Sequence, residues 1–210
     1  MQILVTAGPT REPIDAVRFI TNASSGRMGY AVAAAAVQAE MSVTLLSGPV
    51  PLSPPAGCKV VRFVTVADLK AALEARFASC DALVMAAAVG DFTVESSAGD
   101  KLHRTAGPLN LTLWPTPDLL AELASRKRPG QKIIAFALEA STPQAAGAAA
   151  AAKLAAKGAD FIVVNTLAAM SAEKSEAAIL GPAGVVLPWA RRSKEELARR
   201  IVELLTPQSL

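Results

Sequence analysis

A glycine-bearing segment near the start of the chain has the residue types of an anion-binding site. A strand pattern ends at Gly8, and a loop with Ser24 and Ser25 leads into a long alanine-rich helix pattern that starts with Gly26 and Gly29. Unpaired backbone N–H groups and the positive end of the helix dipole can bind a phosphate at such a helix start. The same residues also suit an ordinary capped helix whose small residues pack against the sheet, and short glycine motifs often lack a ligand. The motif alone leaves both interpretations open.

The insert between that strand and that helix carries more charge than phosphate binding requires. It contains Arg11, Glu12, Asp15, Arg18 and Asn22, whereas a plain nucleotide-binding turn relies on backbone N–H groups and small residues. We therefore expect the insert to serve a second function beside the nucleotide.

A second candidate element is the run of small residues Ala86–Gly90 followed by Asp91. It follows a central strand pattern, and open α/β sheets bind ligands at the carboxyl ends of their strands. Its exposed backbone could bind a base edge, and Asp91 could bind a sugar hydroxyl or the metal of a nucleoside triphosphate. The alternative is a close-packed strand end with Asp91 as a helix cap.

Three lysines are candidate phosphate ligands. Lys101 lies in the polar segment Thr93–Pro108, which predicts a mobile loop. It is either a solvated surface residue or a lid cation that closes over phosphates. Lys153 and Lys157 share a helix face by their spacing, and an interaction with the helix C-terminus explains them equally well.

Two features argue against a nicotinamide-dependent dehydrogenase. Such folds place an acid at the end of the second strand to bind the ribose, but the pattern Val43–Ser47 contains none. A short-chain dehydrogenase would also carry a Tyr-xxx-Lys pair, whereas the single tyrosine, Tyr30, is followed four residues later by Ala34. An oxidoreductase stays an alternative, and so does a non-catalytic nucleotide-binding module.

The composition limits the class of protein. The 210 residues are 52% hydrophobic and 4% aromatic, which suits one α/β domain over 1–210 with an aliphatic core. The net charge of +3 fits anionic small molecules, and no Lys/Arg run indicates nucleic-acid binding. Cys58, Cys80 and the single histidine, His103, form no ligand set for a transition metal. With few cysteines and neither a signal peptide nor a membrane-spanning run, we expect a cytoplasmic protein.

Strand patterns alternate with helix patterns, which indicates an α/β fold with a mainly parallel sheet and helices on both faces. The strand patterns are Ile3–Ala7, Val43–Ser47, Val60–Val64, Ala82–Ala87, Ile133–Ala137 and Phe161–Val164. The helix patterns are Gly26–Ala39, Val66–Phe77, Pro117–Ser125, Thr142–Lys157 and Ser193–Leu205. A turn between Ala177–Leu180 and Gly184–Leu187 predicts a further hairpin.

Five motifs, taken in order, resemble those of phosphopantothenate–cysteine ligases of the bacterial, CTP-using type. They are the run GPTREPIDAVRFITNASSGRMG, then AAAVGDF with a loop lysine ten residues past its Asp, then TPDLL, FALE and the pair Lys153 and Lys157. The resemblance covers essentially the whole chain, and the order and spacing of five separate motifs are far more specific than any single glycine signature.

The resemblance implies a Rossmann-like fold with a small dimerisation segment, and a homodimer. It also implies a reaction in which CTP and Mg²⁺ activate the carboxylate of 4′-phosphopantothenate. The acyl-cytidylate that forms, together with pyrophosphate, is then attacked by the amine of cysteine to give the amide and CMP. The reaction belongs to coenzyme A biosynthesis.

The resemblance also assigns roles by position. The expected triphosphate cradle is Gly8, Ser24, Gly26 and Gly29, and the expected nucleotide-binding strand end is Met85, Ala86, Ala87 and Asp91. The expected base pocket is Pro117, Asp118, Leu119, Leu120 and Phe136. The basic residues around the nucleotide are Lys101, Lys153 and Lys157, and Asn22 is expected to contact the acyl intermediate. Asn22 and Lys101 are the expected catalytic residues.

The chain departs from the family pattern in three ways. Many bacterial relatives are fused to a flavin-dependent decarboxylase, and the sequence leaves open whether this chain is a stand-alone ligase or part of such a fusion. His103 and Arg104 stand where further lysines are common. Asn165-Thr166 replaces a more usual Asn-Asp.

Overall fold

The computed structural model describes residues 1–95, 97–104, 107–139, 152, 154–166 and 174–206. Most of the predicted helix Thr142–Lys157, with Lys153, lies outside the described residues, and within it residues 154–157 are helical. None of the described helices is long and apolar enough to cross a membrane.

The elements alternate along the chain as the sequence patterns predict. The strands are β1 (Gln2–Ala7), β2 (Arg11–Pro13), β3 (Phe19–Thr21), β4 (Ser42–Ser47), β5 (Lys59–Arg62), β6 (Ala82–Met85), β7 (Phe92–Val94), β8 (Leu113–Pro115), β9 (Lys132–Glu139), β10 (Phe161–Thr166), β11 (Lys174–Gly181) and β12 (Gly184–Ser193). The helices with defined bounds are α1 (Arg27–Gln38), α2 (Val66–Phe77), α3 (Leu119–Ala124) and α4 (Lys194–Glu203).

Eight strands form one sheet in the order β12-β11-β10-β9-β6-β1-β4-β5. Six of these strands are parallel, and from the β5 edge they lie in the order β5-β4-β1-β6-β9-β10. Renumbered 1 to 6 along the chain, this order is 3-2-1-4-5-6. This is the strand order of the Rossmann fold, so the predicted Rossmann-like α/β fold is confirmed. The predicted hairpin is also confirmed, since β11 and β12 pair antiparallel at one edge of the sheet.

Two apolar clusters lie on opposite faces of this sheet. Side chains of a strand alternate between its faces, and in β1 Leu4 packs with residues of α2 and α3 while Ile3 and Val5 pack with residues of α1 and α4. Helices therefore cover both faces. The starts of α2, α3 and α4 are fixed by side-chain caps from Thr65, Asp118 and Ser193 respectively, because each cap satisfies an N–H group of the first turn.

Two small antiparallel sheets were not evident from the sequence patterns. The prediction of a loop over Thr93–Pro108 is wrong at its start, because β7 pairs with β8. The strands β2 and β3 form the second small sheet. Strands of three residues are too short to show alternation. Long-range bonds hold them instead, such as the one that the Thr93 hydroxyl donates to the Glu12 carboxylate at 3.0 Å.

Candidate active site

A cavity of about 760 Å³ lies between the start of α1 and the carboxyl ends of β6 and β9. The strand order reverses between β1 and β6, and open α/β sheets bind ligands in the crevice at that point. The predicted site residues that line the cavity are Asn22, Ser24, Gly26, Met85, Ala86, Ala87, Asp91, Pro117, Asp118, Leu119, Leu120, Phe136 and Lys157. The described positions that do not line it are Gly8, Gly29 and Lys101.

The first turn of α1 borders the cavity without a side-chain cap in the described part of the chain. Gly26 is the N-cap residue, and its φ of 74° lies in the left-handed region that favours glycine. The Ser24 hydroxyl accepts a weak hydrogen bond from the Gly26 N–H at 3.4 Å but none from the helix itself. The serine cap of the alternative interpretation is therefore wrong, whereas its packing of small residues against the sheet is confirmed at Gly29. The first-turn N–H groups, which have no intrahelical acceptor, are available for an anion.

Gly29 and Gly8 position α1 and do not line the cavity, and their membership of the phosphate cradle stays a prediction. A Cβ atom on Gly29 would lie 2.5 Å from the Ala7 Cβ and 2.7 Å from the Thr6 carbonyl oxygen. Only glycine therefore lets the helix approach β1 this closely. A Cβ atom on Gly26 would lie 3.3 Å from the Gly8 nitrogen, so Gly8 supports the loop beneath the helix start.

The segment Ala86–Gly90 is held against the end of β1. The Ala87 N–H donates to the hydroxyl of Thr6 at 3.0 Å, and the Gly90 N–H donates to the hydroxyl of Thr10 at 2.9 Å. Both threonines are buried. The segment is therefore fixed through one edge of its backbone, and its small side chains leave the cavity side open for a ligand.

Asn22 connects the two elements that border the cavity. Its Nδ2 donates a hydrogen bond to the Val89 carbonyl at 3.0 Å, so the side chain links the segment before α1 to the strand-end segment. Because the N-cap of α1 is Gly26, Asn22 does not cap this helix. Its amide group lies at the cavity, where an acyl group of a ligand could contact it.

A third wall of the cavity comes from the start of α3. The Asp118 Oδ1 accepts a hydrogen bond from the N–H of Ala121 at 3.1 Å, and its Oδ2 lies 3.4 Å from the Lys157 Nζ. The Thr116 N–H donates to the Asp91 carbonyl at 2.9 Å, which ties this wall to the strand-end segment. Asp91 precedes β7 rather than a helix, so the alternative that it serves as a helix cap is wrong.

The charged insert between β1 and α1 mainly holds other segments. The buried Asp15 carboxylate accepts hydrogen bonds from the Arg18 Nε at 2.9 Å and the Leu102 N–H at 3.1 Å. The Arg18 guanidinium, together with backbone N–H groups, holds the pKa of the Asp15 carboxyl far below its usual range despite burial. Glu12 joins the insert to α2 and β7. Of the residues singled out in the insert, Asn22 alone lines the cavity. A second function of the insert at the ligand therefore falls to Asn22.

Lys101 is exposed and does not line the cavity of its own chain. Its exposure agrees with a solvated surface residue, and the lid cation that closes over phosphates stays a prediction. Both backbone groups of its neighbour Leu102 are hydrogen-bonded. The Leu102 N–H donates to the Asp15 carboxylate, and the Leu102 carbonyl accepts a hydrogen bond from the Arg18 Nη2 at 2.9 Å. A role of Lys101 in catalysis therefore requires movement of the loop or a site shared with a second copy of the chain.

Four polar residues at the cavity were not predicted as site residues: Arg27, Thr116, Asn165 and Lys194. Lys194 begins α4, and a lysine in a first helical turn is opposed by the helix dipole, which is the signal that could have identified it.

Among the described residues, no group of three or more His, Cys, Asp or Glu side chains could hold a metal ion.

A sheet in Rossmann order, with a ligand-sized cavity beside an uncapped helix start, defines an α/β protein with a ligand site where the strand order reverses. Residues 1–208 match the family described as the DNA/pantothenate metabolism flavoprotein C-terminal domain, and the chain belongs to this family.

Named relatives agree with this membership. A cysteine/cysteine sulfinic acid decarboxylase of an unknown prokaryotic organism is 37% identical over 206 residues, which are 96% of this chain and 56% of that protein. The coenzyme A biosynthesis bifunctional protein CoaBC of Bacillus subtilis (strain 168) is 42% identical over 171 residues, 81% of this chain and 41% of the relative. The crystal structure of the C-terminal domain of a coenzyme A biosynthesis bifunctional protein CoaBC is 32% identical, with a TM-score of 0.79 and coverage of 97% of this chain and 93% of that one. The chain spans about half the length of these curated relatives.

Proposed function

We propose that the chain catalyses the CTP-dependent ligation of 4′-phosphopantothenate to L-cysteine, a step of coenzyme A biosynthesis in the cytoplasm. The observation that carries the proposal is the cavity, where an uncapped helix start and an open strand-end backbone border one space. A nucleoside triphosphate needs both, N–H groups for its phosphates and directional polar groups for its base. Family membership and the likeness to the CoaBC domain support the same assignment.

The reaction has two steps. A carboxylate oxygen of 4′-phosphopantothenate attacks the α-phosphorus of CTP, the bond from that phosphorus to the bridging oxygen breaks, and pyrophosphate leaves. The cysteine amine then attacks the acyl carbon of the acyl-cytidylate and loses a proton, while CMP leaves with the former carboxylate oxygen. Asn22, whose amide already bridges two walls of the cavity, orients the acyl group for the second step.

The cavity walls suggest how the nucleotide binds. The triphosphate lies at Ser24, Gly26 and the first turn of α1, where N–H groups favour an anion. The base contacts the backbone at Met85–Ala87 and the start of α3, including Pro117, Asp118, Leu119 and Leu120, with Phe136 as an apolar wall. Asp91 binds the ribose or the metal, and Lys157 lies beside the nucleotide.

Mg²⁺ fits this site as an ion carried by the nucleotide. Magnesium is usually held by one or two carboxylates together with substrate phosphates, rather than by an all-protein cage. Asp91 and Asp118 are the carboxylates that line the cavity among the described residues, and Asp118 is engaged by Lys157. Asp91 is therefore the residue that would hold the ion, and the bound ion would neutralise charge on the phosphates.

We propose that CTP is preferred over ATP. A pocket of backbone groups recognises a pyrimidine edge by hydrogen bonds, and a purine would leave some of these groups unpaired. Competition between CTP and ATP for product formation tests this. We expect a clear preference for CTP, and equal specificity constants for the two nucleotides would contradict the assignment of the base pocket.

We also propose a homodimer whose interface borders the cavity. The ribbon β7–β8 exposes large apolar side chains, with Phe92 52% and Trp114 50% exposed, and such patches mark interaction sites. Cavity residues Asp91 and Thr116 flank this ribbon directly, so a second copy docked there lies beside the cavity mouth. If Lys101 of each chain serves the cavity of its partner, heterodimers of Asn22→Asp and Lys101→Gln chains should regain activity that neither homodimer shows, because one of their two sites is intact. A fully active monomer in light scattering would contradict the proposal.

The ligase itself is tested by product analysis. The chain is incubated with CTP, Mg²⁺, 4′-phosphopantothenate and cysteine, and we expect CMP, pyrophosphate and the cysteine amide in equal amounts. Omission of either 4′-phosphopantothenate or cysteine is the control. Release of carbon dioxide from cysteine, with CTP left intact, would instead support the activity named for the first relative described above.

A further inference from the structure

Thr6 is a polar residue at a fully buried position of β1. Its side chain is 0% exposed, and the other buried residues of the strand are apolar. Valine has nearly the same shape and suits a central strand equally well, so packing alone does not account for a hydroxyl group at this position. The polar contacts of the hydroxyl therefore indicate what the residue does.

Two hydrogen bonds join the Thr6 hydroxyl to the end of β6. It accepts one from the Ala87 N–H at 3.0 Å and donates a weaker one to the Met85 Sδ at 3.6 Å. The pairing of β1 with β6 ends at Thr6 and Met85, and beyond this point the Ala7 carbonyl accepts a hydrogen bond from the Gly48 N–H at 2.8 Å. The Thr6 side chain therefore continues the connection between the strands where the backbone pairing stops.

The bond to Thr6 also fixes the direction of a carbonyl group at the cavity. The Ala87 N–H and the Ala86 carbonyl belong to one planar trans peptide group, in which they point in opposite directions. Because the N–H is held on β1, the carbonyl is directed away from β1. Ala86 lines the cavity, and its carbonyl accepts no hydrogen bond from the part of the chain that the structure describes.

A carbonyl in a fixed direction can distinguish the two pyrimidine bases. Cytosine carries an amino group, which donates hydrogen bonds, whereas uracil carries at the same ring position a carbonyl oxygen, which accepts them. The Ala86 carbonyl can pair with the amino group only. A peptide group that was free to rotate could instead present its N–H to uracil, and the bond between the Ala87 N–H and Thr6 opposes this rotation.

We propose that Thr6 is a positioning residue that makes the site selective for cytosine over uracil. It does not contact the nucleotide itself, but it holds the peptide group of Ala86 and Ala87 with the carbonyl available to the base and the N–H occupied. The inference rests on the proposed function, because it takes the ligand of the cavity to be CTP. Loss of the Thr6 hydroxyl should therefore relax the selectivity rather than abolish nucleotide binding.

Calorimetric titration of CTP and of UTP into the whole chain and its variants tests this role. Thr6→Val removes the hydroxyl and keeps the branched shape, and the preference for CTP over UTP should fall on the order of 10-fold. Thr6→Ser keeps the hydroxyl and should keep the wild-type preference. Thr44→Val makes the same change in the neighbouring strand β4, away from the cavity, and is the matched control that should bind both nucleotides like the wild type. Thr6→Ala serves if Thr6→Val does not fold.

The outcomes separate this inference from the proposed function. A wild-type preference for CTP in both Thr6→Val and Thr6→Ala would overturn the inference alone. An equal loss of CTP and UTP binding would show a merely structural residue and overturn it as well. Equal affinities of the wild type for CTP and UTP would show that the Ala86 carbonyl does not select the base, which overturns the inference while CTP binding stands. Absence of CTP binding in the wild type would overturn the proposed function, and the inference with it.

Discussion

The Asp15 carboxylate accepts a hydrogen bond from the Leu102 N–H at 3.1 Å, although 87 positions separate the two residues in the chain. Arg18 completes the contact by donating to the Leu102 carbonyl at 2.9 Å. The ion pair of Asp15 and Arg18 thus fixes the backbone next to Lys101. The charged insert therefore positions the loop that carries a proposed catalytic lysine.

Replacement of Asp15 should change the acid stability of the protein. The Arg18 guanidinium holds the pKa of Asp15 below its unfolded value, so the carboxylate contributes stability above the unfolded pKa of about 3.9. That contribution is lost as the pH falls through the lower, folded-state pKa. The free energy of unfolding of Asp15→Asn should therefore lie below that of the wild type near neutrality, and the gap should narrow below about pH 4.

Denaturant unfolding over a pH series measures this gap. Asp100→Asn removes an exposed carboxylate from the same loop region and should match the wild type throughout. A gap that stays constant across the acid range would contradict the role given to the Asp15 charge.

Lys101→Gln should slow the first half-reaction. Attack of the carboxylate on the α-phosphate builds negative charge on the departing pyrophosphate, and a cation placed there stabilises it. The loss of one such contact costs on the order of 3 kcal/mol in the barrier, roughly a hundredfold in rate. Pyrophosphate release in a single turnover without cysteine measures this step. Lys59→Gln, in β5 at the far edge of the sheet, is the control and should release pyrophosphate like the wild type. Normal pyrophosphate release by Lys101→Gln would show that Lys101 is a solvated surface residue.

Asn22→Asp should separate the two half-reactions. A carboxylate cannot donate to the Val89 carbonyl, which the Asn22 amide does at 3.0 Å, and it repels an anionic acyl phosphate. We expect CTP to be consumed once per site while transfer to cysteine fails. A single-turnover experiment that traps the acyl-cytidylate measures this. Undiminished amide formation by Asn22→Asp would contradict the role of Asn22 in acyl transfer.

Gly29→Ala should destabilise the fold. The added Cβ would lie 2.7 Å from the Thr6 carbonyl oxygen. This oxygen belongs to the backbone of β1, so relieving the overlap requires a shift of the strand or of the helix. Overpacking of this kind costs about 1–3 kcal/mol in the free energy of unfolding. Gly99→Ala, which would meet nothing within 4 Å, should stay within about 1 kcal/mol of the wild type. Equal stability of the two variants in denaturant unfolding would contradict the close contact between α1 and β1.

The features that the sequence predicted well are local in the chain. The mainly parallel sheet with helices on both faces follows from alternating patterns, and the strand-end residues Met85–Asp91 and the α3 start at Asp118 are contiguous motifs. The features that it missed depend on contacts between distant segments. The sequence around Asp15 does not indicate its contact with Leu102. The sequence around Lys194 does not indicate that α4 begins beside Arg27. Gly29 shows the same limit, because a glycine needed for helix packing and one needed for a ligand look alike in sequence.

The most direct test of the central claim follows one oxygen atom through the reaction. In the proposed chemistry, a carboxylate oxygen of 4′-phosphopantothenate becomes bonded to the α-phosphorus and leaves with CMP. With the carboxylate labelled by ¹⁸O, mass spectrometry of the products should find a single ¹⁸O atom in CMP and none in pyrophosphate. Appearance of the label in inorganic phosphate, with CDP as the nucleotide product, or unlabelled CMP, would contradict activation through an acyl-cytidylate in this cavity.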